Sequence, residues 1–123
     1  SLKVIGIENM MKSALILTLL SASIGTAFAG NVAKGKELVE KNNCAACHGA
    51  NLNEPVAPAY PKIAGQYADY VYYALRSYQV SNNPQFGRKN AVMVSQVTQY
   101  SDADLRNMAA YIASLPGTMV IKK

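Results

Sequence analysis

The sequence predicts an all-α domain of three main helices joined by long loops. Apolar residues recur at helical spacing in three separate segments, and two stretches rich in proline, glycine and polar residues separate them. One short alternating stretch exists, but it has no second strand to pair with. No internal repeat is present.

The first segment is "GNVAKGKELVEKNN", in which Val32, Gly35, Leu38 and Val39 share one side of a helix. Lys34, Lys36, Glu37, Glu40 and Lys41 fall largely elsewhere, and Asn31 is placed to cap the N-terminus. Gly35 on the inner side costs helix propensity, so a close approach by another element is expected there. Residues 51–61, "NLNEPVAPAYP", carry three prolines within seven positions and read as a loop. "AGQYADYVYYALRSYQV" restores helical spacing, with Val71, Leu75 and Tyr78 as its inner stripe. "SNNPQFGRKN" is a second loop.

In "AVMVSQVTQY", Val92 and Val94 flank Met93 in a strand-like alternation, which leaves this stretch ambiguous between helix and strand. The last segment is clearer. Ser101 and Asp104 have the spacing of a capping box, and Leu105, Met108, Ala109 and Ile112 form a helical stripe that Pro116-Gly117 ends.

The N-terminal part reads differently. Met11-Lys12 opens a short basic start, "SALILTLLSASIGTAFA" is apolar, and Ala27-Phe28-Ala29 is a small-residue cleavage pattern. Residues 10–29 are therefore expected to be a secretory signal peptide cut after Ala29, with residues 1–9 an upstream extension and 30–123 a single domain. A membrane-spanning helix is the weaker reading, because a span needs ~20 apolar residues and this run is shorter and carries Ser, Thr and Gly. Without Lys3, Lys12 and Glu8, ten basic and six acidic residues remain. They are scattered rather than clustered, which argues against nucleic-acid binding.

Both cysteines and the only histidine fall within five residues, in "CAACH": Cys44, Cys47 and His48. A structural zinc site wants four ligands, and no second Cys/His pair is available. A thioredoxin-like pair normally follows a strand, whereas the segment before this motif is helical. A disulfide across so short a loop stabilises little. The remaining chemistry is C-x-x-C-H attachment of a c-type haem. On a helical turn at ~100° per residue, the three side chains span an arc of about 100° and face one planar ligand together. The thiols then supply two thioethers and the imidazole reaches the iron.

With one histidine, bis-histidine ligation within this chain is excluded, and methionine is the common partner in electron-carrying haem. Five methionines are present. Met10 and Met11 leave with the signal peptide, Met108 belongs to a core stripe, and Met119 lies beyond Pro116-Gly117. Met93 remains as the expected sixth ligand, against the plainer reading of a buried gap-filler.

Taken together, "GKELVEKNNCAACHGAN", "YPKIAGQYADYVYYAL", "GRKNAVM" and "YSDADLRNMAAYIASL" resemble a bacterial class I c-type cytochrome, of the short single-haem periplasmic carrier type and the single-haem halves of the di-haem ones. The resemblance implies a cytochrome c-like fold around one covalent haem. It implies that Cys44 and Cys47 carry the thioethers, that His48 and Met93 are the iron ligands, and that Pro61 and Ile63 in "YPKIAG" match a P-x-L-x-G stretch. There the proline carbonyl holds the ligand histidine and the apolar residue packs on the haem. Gly35 and Tyr111 match the crossing of the first and last helices, and Arg88 or Lys89 is the candidate for a haem propionate.

The function expected is periplasmic transfer of single electrons between redox protein partners, including transient association with membrane-bound respiratory complexes. No small-molecule substrate, nucleic acid or enzymatic reaction is expected. The competing readings are a relay subunit of an oxidoreductase complex and an open-site haem sensor or peroxidase. Lys41, Lys62 and Lys89 are candidates to ring the exposed haem edge and steer acidic partners.

Overall fold

The computed structural model describes residues 30–120. The expected upstream extension and signal peptide lie outside the described residues. Among the described residues five helices follow one another: α1 (Val32–Lys41), α2 (Ala45–His48), α3 (Ala68–Gln79), α4 (Ala91–Val97) and α5 (Asp102–Ser114). No strand occurs among the described residues, and none of their helices is long and apolar enough to cross a membrane.

Local chemistry accounts for most helix ends. The Asn31 carboxamide accepts from the Lys34 N–H at 2.9 Å and starts α1. At α5 the reciprocal box forms: Asp104 N–H donates to Ser101 Oγ at 3.1 Å and Ser101 N–H donates to Asp104 Oδ2 at 3.2 Å. Residues 91–97 are helical, so the strand alternative falls. Asn90 caps this segment by accepting from the Met93 N–H at 3.0 Å, and a capped helical turn is available to a Val-Met-Val run where a lone strand would leave its backbone groups unpaired.

The helices pack around α5. Helix α1 crosses it closely, α3 lies against it, and α4 rests on α3. Val39, Leu75, Leu105, Met108 and Ile112 are in the shared core. Two inner-face assignments need adjustment. Val32 is 45% exposed, because α5 meets α1 along Asn31 and Gly35, and Val32 sits roughly 60° or more round the helix from that line. Tyr72, outside the predicted stripe of α3, is buried. Its ring packs under the Arg106 guanidinium at 4.0 Å, and its hydroxyl donates to Asp102.

The crossing explains Gly35. A Cβ there would overlap the Asn107 carbonyl oxygen and stand 2.9 Å from Tyr111 Cβ. The neighbouring Asn31 N–H donates to Asn107 Oδ1 at 2.7 Å and fixes the same approach from the end of α1. On the α3–α5 side, the Tyr72 hydroxyl and, next in weight, Arg106 hold the Asp102 carboxyl below the usual carboxylate range, and the same bond lifts the Tyr72 phenol.

Two outcomes follow from this packing. Gly35→Ala gains up to ~1 kcal/mol in helix propensity but overpacks a backbone contact. A net loss of about 2 kcal/mol is expected in denaturant unfolding. Asp102 has a folded pKa below its unfolded one, so its contribution is present in full above about pH 4 and is lost as pH falls through the folded value. Urea midpoints measured from neutral to acid pH should fall less steeply below about pH 4 in Asp102→Asn than in the parent.

Candidate functional site

Helix α2 is one turn, and the motif builds it. His48 N–H donates to the Cys44 carbonyl at 3.1 Å and Cys47 N–H to the same oxygen at 3.3 Å. Gly49 ends the turn at φ 92°, where its N–H donates to the Ala45 carbonyl at 2.9 Å and a Cβ would overlap the Glu54 carbonyl. A side-chain-bearing residue fits neither that angle nor that space.

The turn presents Cys44, Cys47 and His48 to one cavity of about 420 Å³. All six residues expected at the site line it: these three with Pro61, Ile63 and Met93. Both cysteines are free and half-buried. Burial pushes the Cys44 thiol up, offset in part by the Asn42 amide, whose Nδ2 lies 3.9 Å from Cys44 Sγ.

His48 is buried, at 7% exposure. Its Nδ1 stands 2.8 Å from the Pro61 carbonyl oxygen. A carbonyl only accepts, so the proton is on Nδ1 and the lone pair is left on Nε2. Pro61 is held in turn by the segment that follows it. Ile63 and Ala64 both donate to the Leu52 carbonyl, at 2.9 and 3.0 Å. Leu52 turns that carbonyl toward them by adopting φ 55°.

Met93, also on the cavity lining, is half-buried in the first turn of α4 and packs on the core. Met108 also lines the cavity, but it is 1% exposed within the α5 core stripe. Val71, Leu75, Val97 and Ile112 add apolar wall. Periodicity marked three of these as inward-facing, yet nothing in the sequence separated cavity wall from ordinary core. Val97 was missed altogether, because its segment was unassigned.

The charged residues of the lining are Lys62 and Arg88; no Asp or Glu is among them. Of the Arg88 and Lys89 pair, Arg88 faces the cavity, its guanidinium 5.9 Å from the Tyr70 ring and 5.7 Å from the Tyr78 ring. Lys89 lies on a separate shallow hollow with Ser81 and Ala91. Lys41 lines neither, although its neighbour Asn42 lines the main cavity. The donor set fits a c-type haem: two half-buried thiols one helical turn apart, an imidazole whose Nδ1 is held by a carbonyl so that Nε2 is free, a thioether, and apolar wall residues.

Comparison with known proteins agrees with this geometry. A family model described as cytochrome c matches residues 32–116. Cytochrome c4 of Stutzerimonas stutzeri is 35% identical over 119 residues, which are 90% of this chain and 53% of that protein. Cytochrome c-554(548) of Halomonas halodenitrificans is 33% identical over 86 residues, 70% of this chain and 98% of that protein. The crystal structure of reduced recombinant cytochrome c4 from Pseudomonas stutzeri superposes with a TM-score of 0.64 at 33% identity, covering 73% of this chain and 48% of that one. The chain thus spans about half the length of the cytochromes c4 it matches. With the C-x-x-C-H turn, the cavity and these relatives in place, the chain belongs to the cytochrome c family.

Proposed function

We propose that this domain is a periplasmic electron-transfer protein that carries one electron on a single haem c, attached through Cys44 and Cys47 and ligated by His48 and Met93. The observation that carries the reading is the convergence of the whole attachment motif and Met93 on one apolar cavity, with His48 Nδ1 tied to Pro61. The bound haem supplies a one-electron ferric/ferrous couple. The chain's own residues do the rest. The Pro61 carbonyl keeps the His48 ring in one tautomer and one orientation. Ile63, Val71, Leu75 and Ile112 exclude water from the ligand side, and the packed α1–α5 frame limits reorganisation between redox states.

The work proposed is transport of an electron between protein partners, with no bond made or broken. Export by cleavage after Ala29 would place the domain in the periplasm. The cavity lining carries positive charge only, which favours partners with acidic docking faces, including membrane-bound respiratory complexes. A second reading, a relay within a larger redox assembly, draws support from the match to half of the cytochromes c4. Co-purification of the native protein with larger redox subunits would favour the relay, and isolation as a free monomer the carrier.

The ligand set is tested by absorption spectroscopy in both redox states. The oxidised protein should show the near-infrared band of methionine-to-iron ligation, and the reduced protein should take up carbon monoxide only slowly at neutral pH. Met93→Ala should lose the band, bind carbon monoxide, and lower the midpoint potential by on the order of 0.1 V, within the ~0.8 V range that axial ligands command. A parent protein that binds carbon monoxide readily would instead support an open-site sensor or peroxidase. For docking, transfer rates to an acidic partner should fall several-fold as ionic strength rises from about 0.01 to 0.15 M, where the Debye length shrinks from ~30 to ~8 Å. Lys62→Gln and Lys89→Gln should flatten that dependence, whereas rates indifferent to salt would remove the lysines from docking.

A further inference from the structure

Helix α4 is lightly anchored at the cavity. It has seven residues, Val97 is its one buried residue, and Val92 is 47% exposed. So short a helix leaves its last carbonyls without intrahelical partners, and apolar burial alone holds it poorly. Yet its C-terminal end is well satisfied. The Gln79 carboxamide reaches from the end of α3 and donates through Nε2 to the Val97 carbonyl and the Tyr100 carbonyl, both at 2.8 Å. Two carbonyls can be met only by the NH₂ side of the amide, so its orientation is fixed. The Gln79 oxygen in turn accepts from Arg76 Nη1 at 3.0 Å. From the other side, the Asn42 Nδ2 beside Cys44 donates to the Gln96 carbonyl at 3.2 Å.

We infer that Gln79 and Asn42 are positioning residues for Met93: two side-chain amides that clip the C-terminal end of α4 to α3 and to the attachment turn, and so hold the methionine in the cavity. This rests on the proposed ligation by Met93. Neither residue touches the sulfur. Their effect is on how often α4 lifts away, and Asn42 links that event to the turn that carries the cysteines. Loss of the Gln79 clip leaves two carbonyls at the end of α4 without their donor, a cost that corresponds to roughly a tenfold change in the open fraction.

The test uses the holoprotein with Gln79→Glu, which keeps the size of the side chain and removes its donor. Gln85→Glu, in the 81–90 loop, controls for the added charge. In Gln79→Glu the near-infrared band should be lost at a temperature well below global unfolding, and carbon monoxide should bind the reduced protein about tenfold faster than in the parent or the control. Asn42→Asp should act in the same direction, and it carries the test if Gln79→Glu yields no folded holoprotein. A parent protein without the band would overturn the Met93 reading itself. A parent with the band, and variants whose band loss and carbon monoxide binding match it, would leave Met93 as ligand and overturn the clip. Variants that lower global unfolding and band loss by the same interval would also overturn it, since that is the mark of a purely structural role.

Discussion

The structure depends on one hydrogen bond, from His48 Nδ1–H to the Pro61 carbonyl. An imidazole that must offer a lone pair into an apolar cavity needs its other nitrogen protonated and held, or the ring can turn and change tautomer. That requirement reaches well into the fold. Pro61 must arrive at a fixed point, so the loop that carries it is pinned through Ile63 and Ala64 to the Leu52 carbonyl. Leu52 in turn accepts a left-handed backbone, which costs roughly 1 kcal/mol or more for a residue with a Cβ. Its side chain offsets this by burial, at 3% exposure. The long proline-rich loop is therefore an ordered support for the histidine.

The α1–α5 crossing supplies the frame against which this loop is set. Gly35 allows the backbones to meet, and Asn31 fixes α1 at both levels, by capping it and by binding Asn107. Because α2 follows α1 directly, the crossing also fixes the position of the cysteines. Gly65 closes the other end: its N–H donates to the Ile112 carbonyl at 3.0 Å, which ties the histidine's loop to the end of α5. The attachment turn and its support are thus both referred to one helix.

What the sequence made legible was local or periodic. The capping box of α5, the Asn31 cap, the attachment turn and the stripe of α5 each depend on residues within about one turn of one another, and each is present as read. Gly35 was legible as an anomaly whose cause lay elsewhere. The misreadings share a different cause. Val32 obeys the period, but α5 meets α1 along Asn31 and Gly35, and a period carries no information about which part of an apolar face a neighbour covers. Tyr72 breaks the period because its hydroxyl can be satisfied at Asp102 while its ring is buried, an outcome that requires a partner thirty residues away. Residues 91–97 stayed ambiguous because the groups that complete their helix, Gln79 and Asn42, come from other elements. Of the six expected residues on the cavity, Cys44, Cys47 and His48 were legible through their spacing and Met93 through the methionine count, whereas Pro61 and Ile63 were legible only through the family pattern.

The two sides of the cavity are built to different standards, and that difference has a functional consequence. On the His48 side, the motif offers two thiols for covalent attachment, His48 Nδ1 is held by the Pro61 carbonyl, and the surrounding loop is tied to α5 through the Gly65 N–H and the Ile112 carbonyl. On the Met93 side, a seven-residue helix with one buried residue rests on α3 and is held by side-chain amides. Free energy of local opening follows the amount of buried apolar contact and the number of protected hydrogen bonds, so the distal side has the lower barrier to motion. A carrier of single electrons needs both sides to stay in place through the redox cycle. In the proposed carrier, the weaker side would set how well the domain keeps to electron transfer and how readily a haem iron would admit a foreign ligand. Few residues control that balance, and most of them lie outside the attachment motif.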